Sequence, residues 1–170
     1  NNIIAEGLAA ATHAKGEHSK GSLIHDNVSS ILIVGNLYAH NYERSPLFKG
    51  GARGMIVNNL IYDPGPRALH YNLIAEEWGD HAPQLGRMVA LGNVLRAGPS
   101  APADLAFMML GGSGSGDSYA EDNLAADRLG QPLPATARYT TAAAQLIPIT
   151  RPALPEGVRV LPAVDVQDQV

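Results

Sequence analysis

No cysteine occurs in the chain, which excludes disulfides and thiolate metal sites while leaving the compartment open. Charge is scarce as well. Asp, Glu, Lys and Arg make up 16% of the residues, against about 25% in an average soluble domain. The net charge of −4 offers no basic field to hold a nucleic-acid backbone, so nucleic acid is not expected as a partner. Aromatic residues reach only 5%. No apolar run approaches the roughly 20 residues of a membrane helix, so no membrane partner is expected, and no signal peptide is visible. The chain opens on "NNIIAEG" rather than on methionine, and the expectation is that an N-terminal segment precedes it.

What is plentiful is turn chemistry. The 170 residues include 18 Gly and 12 Pro among short apolar runs, a composition that suits an all-β protein better than a helical bundle. This length makes one domain or part of one, with enough chain to bury a core.

A pattern repeats along the first half. "ILIVGNLY", "GMIVNNLIY", "ALHYNLI" and "MVALGNVL" each set a short apolar strand before an asparagine and two more apolar residues. The asparagines are Asn36, Asn59, Asn72 and Asn93, at intervals of 23, 13 and 21 residues; Asn2 and Asn123 fit more weakly. A strand with an Asn corner every twenty-odd residues is the pattern of a right-handed parallel β-helix, whose coils bury their apolar faces only by stacking. Asn suits the corner because it tolerates the left-handed conformation, and stacked amides can bond in a ladder. A β-sandwich with Asn in its turns is the alternative.

Residues 1–99 read as the coils. Residues 100–170 read as a Gly/Ser loop ("MMLGGSGSGDSYAEDN"), a weak last coil with a helical turn at "LAADRL", and an irregular Pro/Ala-rich C-terminal wrap. "RVLPAVDVQDQV" reads as the start of a helix.

Cations gather where charge is otherwise thin. Lys20 lies 24 residues before Arg44, about one coil, so the two are expected one above the other. Lys49 follows Arg44 by five residues, beyond Pro46. Three cations on one face of a charge-poor stack would make an anion site; a solvated basic edge is the other reading. His18 and Arg53 are candidates to line the same groove. The six histidines form no helical pair or tight cluster, so no metal ligand is assigned.

The run "GEHSKGSLIHD", continued by "ILIVGNLYAHNYERSPLFKGGARGMIVNNLIYDPG", resembles polysaccharide lyase family 1, the pectate lyases. The most specific element is Arg44, Pro46, Lys49, Gly50, Gly51, Asn58 and Asn59. The resemblance spans Asn1 to about Pro99 closely and the C-terminal wrap more weakly. It implies a right-handed parallel β-helix and calcium-assisted β-elimination of a polyuronate such as pectate. By position, Arg44 matches the family's catalytic arginine, the proposed base, and Lys20 its substrate-binding lysine. Lys49 stands where the family more often has a second arginine, keeping the charge without the planar fork. Crowding of Arg44 by Lys20, Lys49 and calcium would favour a neutral guanidine, hence an alkaline optimum; a cationic Arg44 that only stabilises charge is the other reading. The calcium ligands are expected upstream of Asn1, with Glu6 and Glu17 as nearby carboxylates that match no family ligand. A secreted or periplasmic monomer is implied, because the polymer does not enter cells.

Two other functions compete. A polygalacturonase-type hydrolase needs neighbouring carboxylates, and no Asp pair stands among the central strands. A non-catalytic β-helix that binds polysaccharide or serves as a structural spike needs none.

Overall fold

The computed structural model describes residues 1–10, 12–16, 18–141 and 144–170. Fifteen short strands form three parallel sheets of five, and the only helix longer than one turn among these residues is α1 (Ala163–Gln169). The first sheet holds β1 (Ile3–Ala5), β4 (Leu37–Ala39), β7 (Leu60–Tyr62), β10 (Val94–Arg96) and β13 (Leu124–Ala126). The second holds β2 (Leu23–Ile24), β5 (Leu47–Lys49), β8 (Leu69–Leu73), β11 (Met108–Gly112) and β14 (Thr136–Arg138). The third holds β3 (Ile31–Val34), β6 (Arg53–Val57), β9 (Gly86–Leu91), β12 (Gly116–Glu121) and β15 (Leu146–Pro148).

Consecutive strands therefore visit the three sheets in fixed rotation, and each strand pairs with the strand three places on. All-parallel pairing excludes an antiparallel sandwich.

The core lies between the sheets and is built from aligned side chains. Tyr38, Ile61 and Leu95 occupy one register line on the first sheet, and Phe48, Tyr71 and Leu110 another on the second. All six are buried in one apolar cluster with Ile56, Leu69 and Met88. Each circuit contributes one layer, so burial depends on the layer above and below.

The asparagine pattern holds with two corrections. Asn2, Asn36, Asn59, Asn93 and Asn123 form a continuous ladder, each donating its side-chain amide to the carbonyl oxygen of the next at 2.9 Å. The intervals are 34, 23, 34 and 30 residues. Asn72 is not a corner: it lies inside β8 on the second sheet. The expected intervals of 13 and 21 are thus a single circuit of 34 residues, lengthened by the connection from β8 to β9. Nor does the ladder asparagine itself take the left-handed conformation. The residue before it does, at Gly35 (φ 63°), Asn58 (φ 52°), Gly92 (φ 61°) and Asp122 (φ 49°).

The stretch expected as a Gly/Ser loop is instead two strands, β11 and β12, and "LAADRL" begins with β13 rather than a helical turn. The expected terminal helix is α1. The chain before it runs extended over the outer face of the third sheet, where Leu154, Val158 and Val160 cover Val57, Val89 and Leu91. Asn58 anchors it by accepting from the Leu161 amide at 3.1 Å, and Asp122 by accepting from the Ala163 amide at 3.0 Å.

Candidate functional site

Phe48, Tyr71 and Leu110 point inward, so strand alternation places Lys49, His70, Asn72 and Gly111 on the outer face of the second sheet. Lys49, Asn72 and Gly111 share one register line across β5, β8 and β11. The segments entering β2, β5 and β8 bring Lys20, Glu43, Arg44 and Arg67 to the start of that face.

Glu43 is the hub. It is 4% exposed, and its two oxygens are shared between neighbours: Lys20 donates to Oε1 and Arg67 to Oε2. The Arg44 Nε lies 3.8 Å from Oε1. Burial alone would raise the Glu43 carboxyl, but the hydrogen bonds from Lys20 and Arg67 outweigh it and hold the group below the ordinary carboxylate value. Three cations against one carboxylate leave the cluster with two net positive charges. The side-chain Nε of Arg44 and of Arg67 are both buried without a hydrogen-bond partner, while each side chain as a whole is partly exposed and so open to an anion at this positively charged spot.

Arg44 has φ 67°, in the left-handed region that costs a non-glycine residue on the order of 1 kcal/mol or more. It is the only Lys or Arg among the described residues with positive φ. The conformation is fixed by neighbouring circuits: the Ser22 amide donates to the Arg44 carbonyl at 2.7 Å, and the Ser45 amide to the Ala68 carbonyl at 3.0 Å. Gly21 makes that approach feasible, since a Cβ there would lie 2.4 Å from the Arg44 carbonyl oxygen.

A second layer covers the face. Tyr139 lies with its ring 4.6 Å from the Arg67 guanidinium and accepts from Asn72 Nδ2 at 3.0 Å. His70, almost fully buried, stands 5.7 Å from the same ring, and neither imidazole nitrogen has a hydrogen-bond partner. Burial pushes its pKa down to about 3, with Arg67, Arg44 and Lys20 reinforcing the shift against Glu43, so His70 is neutral at ordinary pH.

The expected site residues are thus placed unevenly. Lys20 and Arg44 come together, but Lys20 stands beside Glu43 in the backbone register, with Glu43 between the two cations. Lys49 pairs with Glu77 of the short 3-10 turn Ala75–Trp78. Arg53 belongs to the third sheet, 3.8 Å from Asp117, a carboxylate it shares with Arg87. His18 is stacked on His13 with ring centroids 3.9 Å apart; slight burial, then His13, Lys20 and Arg44, lower its pKa. Tyr38 packs in the core, whereas Tyr42 and Tyr62 are exposed.

Glu43, Arg67 and Tyr139 are not among the residues singled out from the sequence, His70 figures there only as one of six histidines, and Asn72 only as a corner. For Glu43 and Arg67 the signal was present, because Glu43 lies 23 residues after Lys20 and Arg67 lies 24 after Glu43. Nothing local marks His70, Asn72 or Tyr139.

Calcium needs several oxygen ligands. Among the described residues no three His, Asp or Glu side chains gather to hold a metal ion, and both Glu43 oxygens are engaged by cations. The described residues therefore do not fit a calcium site. Glu6 stands at a positive-φ corner after β1, and Glu17 lies outside the described residues.

The chain matches no protein-family model, no curated protein and no solved structure.

Proposed function

We propose that the three-sheet stack is a right-handed parallel β-helix of the pectate-lyase kind, and that the protein is a polysaccharide lyase cleaving a polyuronate such as pectate. The observation that carries this reading is Arg44, held at φ 67° with its side chain partly exposed beside Lys20 and Arg67, in a cluster with two surplus positive charges. It is the arrangement a uronate carboxylate would seek.

The chemistry needs a neutralised carboxylate. A free C6 carboxylate barely acidifies the adjacent C5 hydrogen, and ion pairing with Arg67 and Lys20 stabilises the enolate-like charge that develops on proton removal. On this reading Arg44 is the base that takes the C5 proton. The C4–O bond then breaks, its electrons leave with the glycosidic oxygen, and C4 and C5 become doubly bonded. The departing oxygen takes a proton from solvent, and Arg44 returns its own to solvent. Glu43 reduces the crowding of positive charge around Arg44. The described residues give calcium no ligands, so no step runs through it. The reading carries with it an extracellular or periplasmic monomer acting on an acidic polymer.

The second reading is a non-catalytic polysaccharide binder, favoured by the lack of a metal-holding cluster among the described residues. One experiment separates the two. Incubation with polygalacturonate should generate ultraviolet-absorbing unsaturated uronide, abolished in Arg44→Ala and at least about a hundredfold slower in Arg44→Lys. Reducing ends without that absorbance mean a hydrolase. Binding without either product means the non-catalytic reading.

A further inference from the structure

Lys20, Glu43 and Arg67 come from three successive circuits, and the carboxylate of the middle one joins the outer two. A buried carboxylate is an odd component for a site that attracts a polyanion. It removes one of three positive charges, and it is 4% exposed, so it is desolvated as well. Its geometry is what offsets this. One oxygen takes Lys20 and the other Arg67, so the two long side chains cannot swing into solvent. Arg44, its chain neighbour, leaves the same turn 3.8 Å from Glu43 Oε1 without a hydrogen bond to it, and its side chain is partly exposed.

We infer that Glu43 is a positioning residue for the anion site: it fixes Lys20 and Arg67 as two side walls and leaves Arg44 as the guanidinium presented to a uronate. This rests on the polyuronate reading above. It assigns the site an acidic sugar bound through a carboxylate between fixed cations, with affinity held below what three free cations would give.

Glu43→Gln keeps the size but removes the charge, raising the cluster from two to three net positive charges. Binding of a short oligogalacturonate, followed by calorimetry at two salt concentrations, should tighten and become more salt-sensitive. At the same time kcat should fall about tenfold or more, because Lys20 and Arg67 lose their anchor. A structural role would lower thermal stability while leaving affinity and kcat per folded molecule unchanged. That result would overturn the inference and leave the lyase reading intact.

Glu43→Asp is the second variant, needed if the Gln variant does not fold. It retains the charge but is one methylene too short to reach both cations. It should show wild-type affinity, with kcat at least about fivefold lower; wild-type kcat would overturn the proposal. If the wild-type chain binds without cleaving, the affinity and salt dependence of Glu43→Gln decide alone. If the wild-type chain neither binds nor cleaves oligogalacturonate, this inference and the lyase reading fall together.

Discussion

Asn59 and Asn93, 34 residues apart in sequence, stand one above the other: the Asn59 side-chain amide donates to Asn93 Oδ1 at 2.9 Å, and the Asn59 backbone amide to the same oxygen at 3.0 Å. Asn93 in turn donates to the Ile56 carbonyl at 2.8 Å and to Asn123 at 2.9 Å. Both asparagines are fully buried. Asn93→Ala would therefore strand several buried polar groups at once, and should cost about 3 kcal/mol in urea unfolding. Asn93→Asp should cost at least as much at neutral pH, because a carboxylate would face the Ile56 carbonyl and Asn123 Oδ1 with no proton to donate. Acidification should narrow the gap between the Asp variant and the wild type. An Asp variant as stable as the wild type at neutral pH would mean that the ladder contributes little.

Gly111 carries Tyr139 directly on its backbone. A Cβ at this position would lie 2.2 Å from the Tyr139 ring, a contact that cannot be accommodated in place. Gly111→Ala should displace the ring, break the Asn72–Tyr139 hydrogen bond and remove the aromatic face over Arg67. The expected cost is about 1–3 kcal/mol. Limited proteolysis should then cut sooner within residues 136–141 than in the wild type. Equal protection of this segment in both proteins would contradict the packing.

His70 makes stability fall on acidification. Its folded pKa is depressed to about 3 against an ordinary value of 6.5, so between those values the unfolded chain binds a proton that the folded chain refuses. Stability is therefore complete above pH 6.5 and lost as pH falls toward 3, by about 2 kcal/mol at pH 5. Both ring nitrogens are unpartnered, so an apolar side chain of similar volume loses no hydrogen bond. His70→Leu should match or exceed the wild type at pH 7 and lose less stability by pH 5. Parallel pH profiles for the two proteins, measured by chemical denaturation, would refute the assignment.

Glu77 occupies Lys49 with a carboxylate of the chain itself. On the polyuronate reading, that carboxylate competes with the substrate's own. Glu77 is exposed, so the pair contributes little to stability, about 1 kcal/mol at most. Glu77→Gln should bind oligogalacturonate up to about fivefold more tightly, the factor that such a pair corresponds to. Weaker binding with unchanged stability would show instead that Glu77 helps to hold the sugar.

Much of the architecture was legible in the sequence because its local signals agree with one another. Short apolar runs such as "ILIV" and "GMIV" make strands whose inner faces meet the core, and the residue pair before each further strand, as in Gly35–Asn36 and Asn58–Asn59, turns the chain. Asn72 looked like the same signal. It has apolar neighbours on both sides, yet a buried strand and an Asn corner share that pattern, and only its pairing with Lys49 and Gly111 distinguishes them. The cations were equally visible, and Arg44 and Lys20 do converge. Glu43 was not seen, because a carboxylate in a charge-poor sequence looks like solvation until its two partners are placed on either side of it.

The sequence by itself determined the short strands, the Asn turns and the gathering of positive charge, since each follows from residue type and near-neighbour spacing. Only the tertiary structure decided which residues stand above which. Connections differ in length at little entropic cost, so the circuits run from 23 to 34 residues while the strands stay in register. That register puts Glu43 between Lys20 and Arg67, sends Arg53 to another sheet, and leaves Arg44 3.8 Å from the same carboxylate without a hydrogen bond to it.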